Sequence, residues 1–195
     1  PDGKEVLYGA DTLQALRRWF WRTCFSARYS SQTRKTTIHD IQQMELLKQG
    51  KPNLLTEVDK TVLPAFFFNT FRTTAAATKT FVLLLSNNAP KSLLSGKEID
   101  LDKVLQKYNR SEFHHIYPRA FLKDAGLSDT NINILANFCF LSAAENKNIG
   151  RKNPSIYLKD LGGFEHKVDE TLASAFCVAD DFDDNYDKFI ERRVG

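Results

Sequence analysis

Residues 112–117 read EFHHIY, and this stretch decides how the second half of the chain folds. It is rich in aromatic and β-branched residues, and Pro118 follows it directly, so the pattern predicts a short β-strand that ends at the proline. Two explanations are open for the adjacent His114 and His115. They are either the end of a half-buried strand, with one ring outside and one in the core, or a metal-and-base pair for cutting phosphodiesters.

A second strand and a capped helix are predicted further along the chain. NFCFL (137–141) indicates the strand, and SAAE (142–145) has the Ser-x-x-Glu spacing of a capping box, which predicts a short helix ending near Gly150. A helix that folds back from this strand can return Asn146 toward the first strand. Together with Asn137, which opens the second strand, the histidines and Asn146 are then expected to meet in one cleft.

The rest of the sequence is predicted to be helical, because apolar residues recur at helical spacing between stop signals such as Gly50. Asp11 is expected to cap the first helix, and Asn153 to cap the helix that begins at Pro154. Loops are expected at residues 30–35 and 128–136. The fold class is therefore α+β, a mostly helical domain that encloses a small core of two strands and a helix.

Charge is distributed unevenly along the chain. Residues 160–195 carry ten acidic and four basic side chains, whereas residues 1–159 carry 23 basic and 14 acidic ones. A cationic body with an acidic tail permits a nucleic-acid partner, although a solvated surface explains the same balance. The RRWFWR run at 17–22 is open to two interpretations as well, either contact with DNA or aromatic packing with the arginines turned outward.

The cysteine content and the hydropathy of the chain indicate the cellular compartment that we expect for it. The three cysteines, Cys24, Cys139 and Cys177, are odd in number and form no CxxC pair, so a reducing cytoplasm is expected. The longest apolar run, FVLLL at 81–85, is far too short to span a bilayer, and no membrane partner is expected. Because the chain begins with proline and has a single methionine, we expect a fragment of a longer protein.

Three segments carry a resemblance to a known family: FHHIYP (113–118), LANFCFLSAAENKNIGRKNPSIYL (135–158) and YDKFIERR (186–193). The first two resemble the HNH, or ββα-metal, nuclease motif, in which a His-Ile-x-Pro stretch precedes one Asn and then a final Asn or His nine residues later. With the upstream LRRWFWRTCFSARYSS (16–31), they look like the C-terminal nuclease portion of GmrSD-type modification-dependent restriction enzymes. The resemblance covers most of the chain.

The resemblance implies a division of the chain and a role for each motif residue. Residues 1–98 are expected to form a helical segment, 99–160 the HNH nuclease core, and 161–195 C-terminal helices that pack on the core.

The resemblance also implies a role for each residue of the motif. His115 would be the general base, because an imidazole titrates near neutral pH. His114 and Asn146 would hold one divalent metal, most plausibly Mg²⁺ or Mn²⁺, and Asn137 would position the loop that aims His115. DNA phosphates would meet the cations that flank the cleft, which are Arg119, Lys147, Arg151 and Lys152.

One physical objection and one rival ligand stay open. Adjacent residues of a regular strand point to opposite faces, so His114 and His115 enter one cleft only if the backbone is distorted there. Asn148 competes with Asn146 as the metal ligand. The other nearby asparagines, Asn131, Asn133 and Asn153, are interpreted as turn and cap residues.

The function implied is a metal-dependent DNA endonuclease or nickase domain of a bacterial defence enzyme, active in the cytoplasm against modified or phage DNA. In that family a separate N-terminal NTPase-like module acts as the sensor. This sequence has no Walker A motif, so that module would lie outside it. Two rivals are an inactive HNH fold that only binds DNA or protein, and a metal hydrolase that acts on a non-nucleic substrate.

Overall fold

The structure, a computed structural model, describes residues 8–59, 61–107, 113–160 and 168–195. It is mostly helical and contains a small two-stranded antiparallel sheet, as the α+β class predicts. The chain divides into two compact units, one up to Leu63 and the other from Pro64 onward. The predicted helical segment over 1–98 crosses this boundary, and Glu112 of the predicted strand lies outside the described residues.

Helices account for most of the described elements. They are α1 Ala10–Phe25, α2 Thr33–Lys48, α3 Ala76–Ser86, α4 Leu101–Lys107, α5 Arg119–Asp124, α6 Asp129–Ile132, α7 Ala143–Ile149, α8 Pro154–Asp160, α9 Val168–Ser174 and α10 Tyr186–Val194. Short 3-10 turns occur at Leu55–Glu57, Pro64–Phe68, Leu135–Asn137 and Ala179–Phe182. The two strands are β1 Phe113–His115 and β2 Phe138–Phe140.

In the first unit, α1 and α2 are linked through the carboxylate of Asp40, whose residue is only 2% exposed. It accepts hydrogen bonds from Trp19 Nε1 at 3.2 Å and from the Tyr29 hydroxyl at 2.7 Å, and Arg28 donates two more at 2.9 and 2.6 Å. The hydrogen bonds from Arg28 hold the pKa of Asp40 well below its usual range, against the opposing effect of burial. Burial and the bond to Asp40 raise the pKa of Tyr29 to about 12. Trp19, which belongs to the RRWFWR run, therefore has a hydrogen-bond partner inside this unit.

Three local predictions about the ends of the first two helices and the 128–136 loop are wrong. The N-cap of α1 is Gly9, and Asp11 lies inside the first turn, where its charge complements the helix dipole. The helix α2 begins at Thr33, within the predicted loop, because left-handed backbone at Gln32 (φ 47) completes the turn before it. Residues 129–132, also predicted as loop, form α6.

The helices α7 and α8 are capped by side chains that lie at very different distances along the sequence from the start of the helix. The capping box of α7 is confirmed: Ser142 Oγ accepts from the Glu145 N–H, and the Glu145 carboxylate accepts from the Ser142 N–H, both at 3.2 Å. The helix α8 begins at Pro154 as predicted, but its side-chain cap is Asp184, which accepts from the backbone N–H of Ser155 at 2.8 Å. Asn153 occupies the N-cap position, since its carbonyl accepts from the N–H of Tyr157 at 3.1 Å, and its amide donates to Asp184 at 3.1 Å.

The sheet of the second unit has two buried faces. The register pairs Phe113 with Phe140, His114 with Cys139 and His115 with Phe138. Since directly opposed residues share a face, Phe113, Phe138 and Phe140 form one face, here called the phenylalanine face. It joins a cluster with Phe71, Phe81, Val82, Leu85 and Leu135. The opposite face, here called the α7 face, carries Cys139 and joins a separate cluster with Ile116, Leu141, Ile149 and Tyr157. The histidines thus lie at the end of a sheet covered on both sides.

Candidate functional site

The two histidines lie on opposite faces of the sheet. The strand β1 keeps regular antiparallel pairing through His115, so its side chains alternate. His114 shares the α7 face with Cys139, and His115 shares the phenylalanine face with Phe138. The backbone distortion that would turn both rings to one face is therefore not seen within β1.

His115 is half buried at the end of β1, between an aromatic ring and an amide. Its ring centroid lies 4.3 Å from that of Phe138, with the planes tilted by 42°. Its Nε2 atom lies 3.0 Å from Oδ1 of Asn133, which is at the C-terminal end of α6. The imidazole is thus held from two sides.

Asn146 lies on α7, and this helix contributes to the same buried cluster as the α7 face of the sheet. Ile149 of α7 is buried in the cluster that contains Cys139, the residue that shares the α7 face with His114. Asn146 precedes Ile149 by one helical turn, which places it near the same edge of α7. Both His114 and Asn146 are half buried, whereas Asn148 is exposed. The helix geometry therefore favours Asn146 over Asn148 as a partner for His114.

Asn137 is fully buried and its side chain bonds only to backbone in the described contacts. Its Oδ1 accepts from the N–H of Tyr117 at 2.9 Å, and its Nδ2 donates to the carbonyls of Tyr117 at 3.2 Å and Ile132 at 3.1 Å. Its own carbonyl accepts from the N–H of Ile116 at 2.8 Å. Asn137 ends the 3-10 turn before β2 instead of opening the strand, and it fixes the backbone that follows His115.

Two further side chains hold the strand ends and were not singled out from the sequence. The buried Tyr157 hydroxyl donates to the carbonyl of Ile116 at 2.6 Å. The guanidinium of Arg193 donates to the carbonyls on both sides of Asn137, those of Ala136 and Phe138, the latter at 2.9 Å, and also to that of Ala175. The only sequence signal for them is their place in NPSIYL and YDKFIERR, two of the stretches that carry the resemblance.

Arg119 and Arg151, both predicted to bind phosphate, form exposed ion pairs with carboxylates in the part of the chain that the structure describes. Arg119 donates to Asp129 at 2.9 Å, and Arg151 donates to Asp124 at 2.6 Å. Lys147 is exposed on α7, and Lys152 is half buried after it. Such surface pairs contribute roughly 0–1 kcal/mol, so a phosphate can compete with either carboxylate.

The described residues provide few side chains that could bind a metal ion together. Across residues 8–59, 61–107, 113–160 and 168–195, no group of three or more His, Cys, Asp or Glu is placed to hold a metal ion. The predicted pair would bring one imidazole nitrogen from His114 and one amide oxygen from Asn146, both neutral. This donor set fits a weakly held divalent cation whose remaining positions are filled by water and phosphate oxygens.

The comparison with known proteins found a distant archaeal relative. No protein-family model matches the chain, and no solved structure matches it. A relative from Methanocaldococcus jannaschii, Uncharacterized protein MJ0686, is 22% identical in an alignment that covers 93% of this chain and 35% of the relative. The chain thus spans about a third of the length of the curated relative it matches. Within the described residues, the helices are too short or too polar to cross a membrane.

Proposed function

We propose that this chain is a divalent-metal-dependent HNH DNA endonuclease or nickase domain, of the kind found at the C-terminal end of GmrSD-type restriction enzymes. One observation carries the proposal. Two antiparallel strands are followed by a capped helix that carries Asn146, and Asn137 fixes the turn after His115. This is the order and spacing in which the HNH motif places its residues.

The chemistry follows from the residue types. A Mg²⁺ or Mn²⁺ ion held by His114 and Asn146 would supply positive charge to the scissile phosphate and the leaving 3′ oxygen. His115 accepts a proton from the attacking water, since an imidazole is poised for this near neutral pH. The scissile phosphate would lie at the end of β1, where His115 is the last residue of the strand.

DNA would be held beside this strand end by Arg119, Lys147, Arg151 and Lys152. Backbone contacts of this kind position a duplex without reading its sequence. On binding, phosphate oxygens replace Asp129 and Asp124 as the partners of the two arginines. The biological role we propose is defence of a bacterial cell, in the cytoplasm, against modified or phage DNA. An NTPase-like sensor domain elsewhere in the full-length protein would be the partner.

One observation favours a second candidate, an inactive HNH fold that binds DNA or protein. His114 and His115 lie on opposite faces of a regular strand, which a structural pair allows, whereas a shared cleft would need a distorted backbone. The nuclease is preferred because a structural role requires no amide at Asn146 and no half-buried imidazole held by Asn133.

A plasmid-nicking assay separates the candidates when it is paired with a DNA-retention assay. Supercoiled plasmid is incubated with the chain and Mg²⁺, Mn²⁺ or Ca²⁺, with and without EDTA, and binding is measured at rising salt. Nicking that requires Mg²⁺ or Mn²⁺ supports the nuclease. Metal-independent retention of DNA without nicking indicates the binding module. Intact plasmid with no salt-dependent DNA affinity indicates a non-nucleic substrate.

A further inference from the structure

Asn133 lies where the end of α6 meets the base candidate His115. Its Oδ1 atom is 3.0 Å from His115 Nε2, a hydrogen-bonding distance between two side chains that are 18 residues apart. The sequence pattern had indicated only a turn residue at this position. The contact therefore gives Asn133 a second partner beyond its own helix.

The orientation of the Asn133 amide follows from the hydrogen bond that its NH₂ group makes. Its Nδ2 donates to the carbonyl oxygen of Asp129 at 2.8 Å. A carbonyl only accepts, so the NH₂ group must face Asp129, and the amide oxygen must face His115. The reverse orientation would oppose two oxygens at Asp129.

This orientation determines which nitrogen of His115 carries a proton. Since the amide oxygen only accepts, His115 Nε2 must be the donor. A neutral imidazole has one N–H, so the lone pair then resides on Nδ1.

The backbone of Asn133 is itself fixed. Its N–H donates to the carbonyl of Asp129 at 3.0 Å, and its carbonyl accepts from the N–H of Phe71 at 2.7 Å. The following residues continue the attachment, because Leu135 donates to the carbonyl of Asn69 at 2.9 Å. An amide mounted on a backbone tied at both ends can hold a ring in place, and the ring of Phe138 limits rotation of His115 from the other side.

We infer that Asn133 is the positioning residue for His115. It holds the neutral imidazole as the Nε2–H tautomer, so that Nδ1 is the atom that accepts the proton. A catalytic base is commonly oriented by such a third group. The catalytic part of this inference rests on the proposed nuclease function, whereas the tautomer does not.

The tautomer is read directly by a long-range nitrogen–proton NMR correlation spectrum of histidine-labelled chain. The spectrum is recorded in EDTA at about pH 8.5, where an ordinary imidazole is neutral. His115→Gln identifies the His115 signals by their loss. We expect the wild-type ring to show the Nε2–H pattern alone. An Nδ1–H pattern at His115 in the wild type overturns the inference, whether or not the chain cuts DNA.

Variants test whether Asn133 is the cause. Asn133→Leu removes the acceptor and is expected to give averaged signals of both tautomers, with kcat for nicking reduced by about tenfold or more and KM for plasmid changed less than about twofold. Asn133→Asp keeps an acceptor and is expected to retain the single tautomer and most of kcat. The exposed Asn131, changed to Leu, is the matched control on the same helix.

The outcomes distinguish this inference from the proposed function. A single Nε2–H tautomer that is lost in Asn133→Leu, in a chain that nicks no plasmid, supports the positioning role and counts against the nuclease. Nicking by Asn133→Leu at the wild-type kcat, with the wild-type tautomer retained, overturns the positioning role and leaves the nuclease standing. Should Asn133→Leu fail to fold, loss of the single tautomer in a folded Asn133→Asp overturns the inference.

Discussion

The side chain of Asn137 bonds to both backbone groups of Tyr117: Oδ1 accepts from the Tyr117 N–H at 2.9 Å, and Nδ2 donates to the Tyr117 carbonyl at 3.2 Å. A residue just before the second strand thereby fixes the chain two residues after His115. A buried side chain that both accepts from and donates to the backbone of one residue requires the amide of Asn or Gln. This relationship explains why an asparagine is needed at a position with no exposure.

Asn137→Ala is expected to lower the free energy of unfolding by about 2–4 kcal/mol, because buried backbone groups of Tyr117 and Ile132 lose their partners. Urea denaturation at neutral pH measures the change. The exposed Asn148→Ala serves as the control and should cost less than about 0.5 kcal/mol. Equal losses in the two variants would contradict the role given to Asn137.

Arg193→Lys is expected to destabilise the chain by about 1–3 kcal/mol, although it conserves the charge. A lysine cannot reproduce the planar fork that reaches the carbonyls of Ala136, Phe138 and Ala175. Thermal or urea unfolding provides the measurement. Arg151→Lys, at an exposed ion pair, is the matched control and should be nearly neutral. An unchanged midpoint in Arg193→Lys would show that the three carbonyls do not need the guanidinium.

Stability of the first unit is expected to fall in acid because of Asp40. Its pKa is lower in the folded chain than the ordinary value of about 3.9, so its contribution is present above that pH and is lost as the pH falls toward the folded pKa. Both tryptophans belong to this unit, so their fluorescence during urea unfolding reports it. Asp40→Asn should be less stable at neutral pH and should lose less between about pH 5 and pH 2 than the wild type. Parallel pH curves for the two proteins would exclude Asp40 as the source.

The sequence predicted those features whose causes are local. The capping box of α7 depends on Ser142 and Glu145, three residues apart. The strand β1 lies in the short aromatic run, although it ends at His115 and not at Pro118 as predicted. The side-chain cap of α8 was missed because its acceptor, Asp184, is 29 residues from the N–H it binds. Arg193 was missed for the same reason, since it reaches carbonyls up to 57 residues away. Asn133 looked like a turn residue because its bond to His115 spans 18 residues.

The positions of the proposed metal ligands, His114 and Asn146, were predicted only as far as their spacing in the sequence allows. The nine-residue step from Asn137 to Asn146 indicated a strand followed by a helix that folds back, and Ile149 of α7 shares a buried cluster with Cys139. Whether adjacent histidines share a cleft depends on backbone pairing, which spacing does not reveal. The register shows His114 and His115 on opposite faces.

Asn146→Ala is expected to raise the Mn²⁺ concentration needed for half-maximal nicking by about tenfold or more, since one of two protein ligands is lost. The nicking rate is measured across a Mn²⁺ series, with DNA retention as a check on folding. The same series on Asn148→Ala tests the rival ligand on α7. A shift in Asn148→Ala but not in Asn146→Ala would reassign the metal to the exposed position.

The central claim is that His115 is the base that activates water for DNA cleavage, and one comparison tests it most directly. The initial rate of plasmid nicking in Mn²⁺ is measured for the wild type, for His115→Ala and for His39→Ala, a half-exposed histidine of the first unit. We predict that His115→Ala cuts about 10²–10⁴ times more slowly while it retains DNA as tightly, and that His39→Ala cuts at close to the wild-type rate. Nicking by His115→Ala at the wild-type rate would contradict the account.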